Sequence, residues 1–107
     1  MRLLVLFAPA TVLLMGAAPN GASIALHGTD HGALPCQACH GMRFQGDISI
    51  GAPALAGQSV SVMLNSLTAI AAGKMGKNYV MKNIAASLTP AERKAVTAYL
   101  AGLPAPK

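Results

Sequence analysis

Apolar residues recur at helical spacing in two long stretches of this chain, and nowhere do they alternate with polar ones as a half-buried strand requires. In residues 59–72, Val60, Met63, Leu64, Leu67, Ile70 and Ala71 fall on one side of a helix, with Ser59 placed to cap its start and Gly73 to stop it. In residues 89–103, Thr89-Pro90-Ala91-Glu92 combines a capping box with proline at the first helical position. Ala95, Val96, Tyr99, Leu100 and Leu103 then form an apolar face, and Gly102 and Pro104 end the helix. Shorter patterns predict a helix around residues 23–27 stopped by Gly28, a turn and short helix over 34–41, and one or two helical turns over 80–87. The last of these presents Met81, Ile84, Ala85 and then Leu88 on one side. Residues 42–57, rich in Gly and Pro, read as a loop, and residues 74–79 as a basic connection. The pattern predicts an all-α fold of three to four short helices in one domain, without internal repeats.

The first residues change the picture of where this domain works. Met1-Arg2 is followed by an apolar run from Leu3 to Met15 and then by small residues, which is the form of a secretory signal peptide. A spanning helix needs about 20 apolar residues, and Pro9 and Gly16 interrupt this run. Residues 1–22 are therefore expected to be a leader, cleaved between about 18 and 25, with residues 23–107 as the domain. Two exits fit, Gly16-Ala17-Ala18 and Ser23-Ile24-Ala25. Membrane association follows only if the leader stays uncleaved. In either case the domain is exported, and the expected location is periplasmic.

What remains is small. The 107-residue chain has no Trp, two Phe and two Tyr, and part of its 53% hydrophobic content sits in the leader. Some 80–90 residues with so few aromatic groups build only a modest core, and domains of that size often depend on a staple such as a disulfide or a metal.

Cys36-Gln37-Ala38-Cys39-His40 supplies a candidate for that staple. It uses both cysteines of the chain, and C-x-x-C-H reads as a c-type haem attachment site. Two thiols one short turn apart can each form a thioether with a vinyl group of one porphyrin. The next residue, His40, then lies beneath the ring with its imidazole toward the iron. The loop over residues 42–57 is expected to wrap one haem face.

The iron takes a sixth ligand or keeps an open position. His27, His31, Met42, Met63, Met75 and Met81 are the candidates. His27, His31 and Met42 lie too close in sequence to the attachment motif to reach the opposite face readily. Met63 sits on an apolar helix stripe, where it belongs to the core. Met75 and Met81 both follow a helix and a connection long enough to pass the haem edge, and spacing leaves both open.

These residues resemble the class I monohaem cytochromes c, and among them the short c4-like or c-553-like bacterial members. The resemblance runs from about residue 28 to 103. Pro53-Ala54-Leu55-Ala56-Gly57-Gln58 looks like the family's P-x-L-x-G segment. That resemblance implies that the Pro53 carbonyl accepts a hydrogen bond from the haem histidine, His40, and that Leu55 lines the pocket on the same side. Met81-Lys82-Asn83-Ile84-Ala85-Ala86-Ser87-Leu88 looks like the family's M-x-x-I-A-x-x-L run and implies that Met81, rather than Met75, binds the iron. Tyr99-Leu100 resembles the aromatic pair position in the C-terminal helix. The chain departs from the family at its N-terminal helix, which is short.

A haem held by His40 and Met81 has both axial positions filled by protein, so the expected function is electron transfer between redox partners, one electron at a time. The soft thioether favours ferrous iron. Nothing else offers catalysis: the acids are only Asp30, Asp47 and Glu92, and no paired carboxylates or Ser/His/Asp set can be assembled. The protein is expected to be an electron carrier or a small subunit of a periplasmic dehydrogenase or oxidase, not itself an enzyme. The net charge of +5 includes Lys74, Lys77 and Lys82 around the methionine loop, which suit docking to an acidic redox partner. Without interleaved aromatic residues, and in an exported protein, the charge does not read as nucleic-acid binding. Two other readings stand against this one. An open or labile sixth site would serve ligand sensing or peroxidase chemistry, and a Cys36–Cys39 pair would serve thiol–disulfide chemistry. The second leaves His40 and both resembling segments unexplained, and a four-cysteine zinc site lacks half its ligands.

Overall fold

The computed structural model describes residues 18–107. Five α-helices follow in order: α1 (Gly21–His27), α2 (Gln37–His40), α3 (Val60–Ala71), α4 (Tyr79–Ser87) and α5 (Pro90–Ala101). Among the described residues no strand forms. A single 3-10 turn, Ile48–Ile50, interrupts the long loop between α2 and α3, closed at its base by the isolated bridge between Asp47 and Ala52. The all-α expectation holds.

Side-chain caps define most of the helix starts. Asn20, Ser59, Asn78 and Thr89 each accept a hydrogen bond from a backbone N–H in the first turn of α1, α3, α4 and α5. Each satisfies a donor that the helix itself cannot. At α5 the box is reciprocal: Thr89 accepts from Glu92 N–H at 3.1 Å while Glu92 accepts from Thr89 N–H at 2.8 Å. The Asn20 cap starts α1 at Gly21, two residues before the expected beginning of the domain.

α1 and α5 pack together, as do α3 with α4 and α3 with α5. The short N-terminal helix therefore still meets the C-terminal one. Gly21 lets it approach closely: a Cβ there would fall 2.1 Å from the Ala95 carbonyl oxygen and 3.1 Å from Tyr99 Cβ. The core between the helices holds Ile24, Met63, Ile84, Leu88, Val96 and Leu100, with Phe44 contributed by the loop after α2. Thr97 is fully buried on the α5 face, where its hydroxyl donates back to the helix's own carbonyls, Arg93 O at 2.8 Å and Lys94 O at 3.1 Å. Val60, assigned to the apolar stripe of α3, stands exposed at the first turn of that helix. No helix among the described residues is long and apolar enough to cross a membrane. Residues 1–17, the bulk of the expected leader, lie outside the described residues.

Candidate functional site

The segment bearing both cysteines is wound tightly. Ala38 N–H donates to Pro35 O at 3.0 Å and His40 N–H to Cys36 O at 2.9 Å. This single turn places positions 36 and 39 on the same side, because residues three apart on a helix are neighbours. Cys36 is half-buried and Cys39 exposed. Burial pushes the Cys36 thiol above its ordinary range.

His40 ends the turn and is buried, 7% exposed. Its ring Nδ1 lies 2.8 Å from the Pro53 carbonyl oxygen. A carbonyl only accepts, so Nδ1 carries a proton and Nε2 is the nitrogen left for another partner. Among the described residues Nε2 has no partner, yet no buried side-chain nitrogen there is left unsatisfied. Nε2 therefore sits at the accessible edge of an otherwise buried ring. An imidazole with one nitrogen fixed by a carbonyl and the other offered outward is what a ligating histidine requires. The residues present fit a haem attached at this turn.

The loop from 41 to 58 builds the support beneath His40. Gly46 N–H donates to His40 O at 2.7 Å, and Asp47 and Ala52 exchange bonds of 2.8 and 3.0 Å. Phe44 O accepts from both Leu55 N–H at 2.9 Å and Ala56 N–H at 3.1 Å, so the two sides of the loop are tied together. Leu55 is partly buried against the core. Gly57, at φ +77°, donates to Leu100 O at 2.9 Å and carries the segment onto the end of α5. A side chain there would be strained by the backbone and would strike Ala105.

The candidate sixth ligands separate by environment. Both ring nitrogens of His31 are engaged, at 2.9 Å from Asp30 Oδ1 and 3.0 Å from Glu92 Oε1. His27 is exposed at the end of α1, Met42 is exposed, and Met63 is buried in the core. Met75 is half exposed in the connection before α4 and lines a shallow pocket with Lys77 and Lys82. Met81 is half-buried in the first turn of α4, where its backbone N–H is capped by Asn78. Among the described residues no group of three or more His, Cys, Asp and Glu gathers as a metal site.

Three participants escaped sequence reading. Phe44 is 2% exposed at the heart of the loop, and Gln58 donates its side-chain amide to Ala54 O. The His31 pairing with Glu92 is the third. For Phe44 a signal was present, as it is the one aromatic residue in a loop otherwise made of small, polar and aliphatic residues.

A small all-α domain that displays two adjacent thiols and a carbonyl-anchored histidine belongs to the class of covalent haem proteins. The chain is a member of the cytochrome c family, whose sequence pattern matches residues 27–104. The cofactor of that family is covalent haem c, and Cys36 and Cys39 have the spacing that receives it. No curated protein sequence matches the chain. Among solved structures the domain is similar to reduced recombinant cytochrome c4 from Pseudomonas stutzeri, with a TM-score of 0.72, 29% identity, and coverage of 78% of this chain and 46% of that one. It is also similar to cytochrome c4 from Acidithiobacillus ferrooxidans, with a TM-score of 0.71, 36% identity, and coverage of 78% and 48%. A thiosulfate dehydrogenase (TsdBA) from Marichromatium purpuratum aligns with a TM-score of 0.74 and 31% identity over 79% of this chain and 18% of that one. The chain thus spans less than half the length of either cytochrome c4.

Proposed function

We propose that this protein is a periplasmic electron carrier with one haem c, bound through Cys36 and Cys39 and ligated axially by His40 and Met81. The observation that carries this reading is the His40 Nδ1–H bond to Pro53 O, with Nε2 left free at the edge of the ring. When bound, the haem supplies a one-electron ferric/ferrous couple. The chain's own residues then do the rest. The two thiols hold the ring covalently, and Pro53 O orients the His40 imidazole and raises its basicity. Leu55 would line the pocket on the His40 side, and Met81 would supply a thioether that keeps substrates and water from the iron, which would restrict the site to passing electrons.

Two features argue against thiol–disulfide chemistry. A reactive thiol in a C-x-x-C pair needs a lowered pKa, whereas burial raises that of Cys36. The bonds beneath His40 would also have no purpose. The leader is proposed to end at Gly16-Ala17-Ala18, because cleavage after Ala25 would cut through α1 and remove its Asn20 cap.

Partners are proposed to be redox proteins with an acidic docking face. Asp30 and Glu92 are bonded to His31, and Asp47 is bonded to Ser49. Lys74, Lys77 and Lys82 form no ion pair among the described residues. The similarity to part of a thiosulfate dehydrogenase supports a second setting, in which this domain serves as the electron-accepting module of a periplasmic dehydrogenase.

The test is protein matured with the haem-attachment machinery and recovered from the periplasm. Mass spectrometry should show the mass of one haem and the new N-terminus. The ferric protein should show the weak far-red band of methionine ligation, lost in Met81→Ala with carbon monoxide then binding the ferrous form. Loss of the band in Met75→Ala but not Met81→Ala would overturn the ligand assignment. Colourless protein would overturn the whole reading.

A further inference from the structure

The carbonyl that orients His40 belongs to a proline, whose missing N–H leaves the preceding peptide plane without a donor. Pro53 O and Ala54 N–H share one rigid peptide plane. Among the described residues Ala54 N–H makes no hydrogen bond, so the His40 ring is the plane's own hydrogen-bond partner there. Its orientation is set by its neighbours. On one side Ala52 is bridged to Asp47 by two backbone bonds. Gly46 presses against the plane itself, with no room for a Cβ beside Ala54 N and the Pro53 carbonyl carbon. On the other side the Ala54 carbonyl accepts from the side-chain amide of Gln58. Among the described residues, His40 and Gln58 are the two side chains that hydrogen-bond the backbone of residues 52–56. Gln58 is itself held in place, since its backbone N–H donates to Leu55 O at 3.2 Å.

We infer that Gln58 is a positioning residue for His40: by holding Ala54 O, its amide limits rotation of the Pro53–Ala54 peptide and so fixes the acceptor of the His40 ring proton. This rests on the proposed role of His40 as an axial ligand. The bond to Pro53 O raises imidazole basicity and with it the relative stability of ferric iron. Loosening the acceptor therefore weakens that bond and moves the midpoint potential positive.

The experiment uses the haem-loaded protein and two variants, Gln58→Leu and Gln58→Glu. Exchange of the His40 Nδ1 proton is followed by NMR in the diamagnetic ferrous state, and each rate is divided by that of the unmodified protein at the same pH. Gln58→Leu removes the donor at nearly constant volume. It should raise exchange by roughly five- to tenfold, the scale of one hydrogen bond, and shift the potential positive with the far-red band intact. Gln58→Glu separates positioning from packing. Its neutral carboxyl can donate to Ala54 O as the amide does, and its ionised form cannot. The rate ratio should stay near one at acid pH and climb to the Gln58→Leu value as the carboxyl ionises. An unchanged exchange rate in Gln58→Leu would overturn the inference, as would a raised ratio in Gln58→Glu that ignores pH. Failure of the ligand assignment looks different: the unmodified protein would then lack the ring-current-shifted His40 resonances of a haem-bound imidazole.

Discussion

His31 Nε2 lies 3.0 Å from Glu92 Oε1, a bond between residues 61 positions apart that ties the loop before the haem turn to the start of α5. On its other side the same ring sits 2.9 Å from Asp30 Oδ1. Carboxylates only accept, so both bonds form together only when both ring nitrogens donate, in the imidazolium form. The loop is seated closely there, with Gly32 against Ser87 at the end of α4. The bond His31 donates to Asp30, then that to Glu92, holds the His31 pKa above its ordinary value. The Thr89 N–H, then His31, holds that of Glu92 below its own. The contribution of a raised histidine is complete below about pH 6.5 and is lost as pH rises through its folded value. The contribution of a depressed carboxylate is complete above about pH 4.3 and is lost as pH falls through its folded value. The melting-temperature gap between the unmodified protein and His31→Ala should therefore be widest near pH 5–6 and close toward pH 9. A gap constant across that range would refute the imidazolium. The cluster is exposed, so the gap is small and shrinks in salt.

Phe44 combines a left-handed backbone, φ +57°, with near-complete burial. A non-glycine residue in that region is strained by about 1–3 kcal/mol and persists only when its surroundings insist on it. Here its carbonyl accepts two bonds from the Leu55 and Ala56 amides, and its ring meets Tyr99 edge-on at 6.4 Å. Phe44 thus joins the haem turn, the Pro53 segment and α5. Phe44→Ala leaves the strain and empties the core, and should destabilise the haem-loaded protein by about 3–5 kcal/mol. Guanidinium unfolding followed by haem absorbance checks this, and a loss below about 1 kcal/mol would deny the residue that role.

The contact of α1 with α5 turns on a single missing side chain. A Cβ on Gly21 would collide with the Ala95 carbonyl, and backbone cannot step aside as a flexible side chain could. Gly21→Ala raises helix propensity by about 1 kcal/mol, so on an isolated helix it would stabilise. Overpacking costs about 1–3 kcal/mol and should win, giving a net loss of stability that grows in Gly21→Val. The same denaturation experiment decides the sign, and a stabilised Gly21→Ala would place α1 further from α5 than the structure has it.

What could be read in the sequence was local. α5 announced itself through a cap and a period within fifteen residues, α3 likewise, and the haem turn through five consecutive residues. Pro53 and Leu55 were reachable only through resemblance, because a backbone carbonyl leaves no residue-specific mark. His31 with Glu92 and Phe44 with Tyr99 pair across more than fifty positions, where periodicity carries no information. Thr97 was missed because its hydroxyl is satisfied by its own helix and so behaves as an apolar group. Val60 has the spacing of the α3 stripe but stands exposed at the first turn of the helix.

Lys74, Lys77 and Lys82 are exposed and lie in or beside the connection that leads into α4. Gly73, Gly76 and Asn78 line the same shallow surface as Lys77 and Lys82, so the charges sit over backbone with no acid among the lining residues. Unpaired surface charges contribute little to folding but set the long-range field that steers an acidic partner. If this face docks the partner, the bimolecular electron-transfer rate should fall as ionic strength rises from about 10 to 150 mM, over which the screening length contracts from about 30 to 8 Å. Replacing all three lysines by Glu should lower the low-salt rate by about tenfold or more and flatten or invert its salt dependence. Arg93 and Lys94 on α5 provide the control, and Lys94→Glu is the better of the two because Arg93 is bonded to Ala85 O. Stopped-flow mixing with an acidic redox protein reads all three. A Lys94→Glu effect as large, per charge reversed, as that of the triple variant would show that net charge, and not this face, governs the encounter.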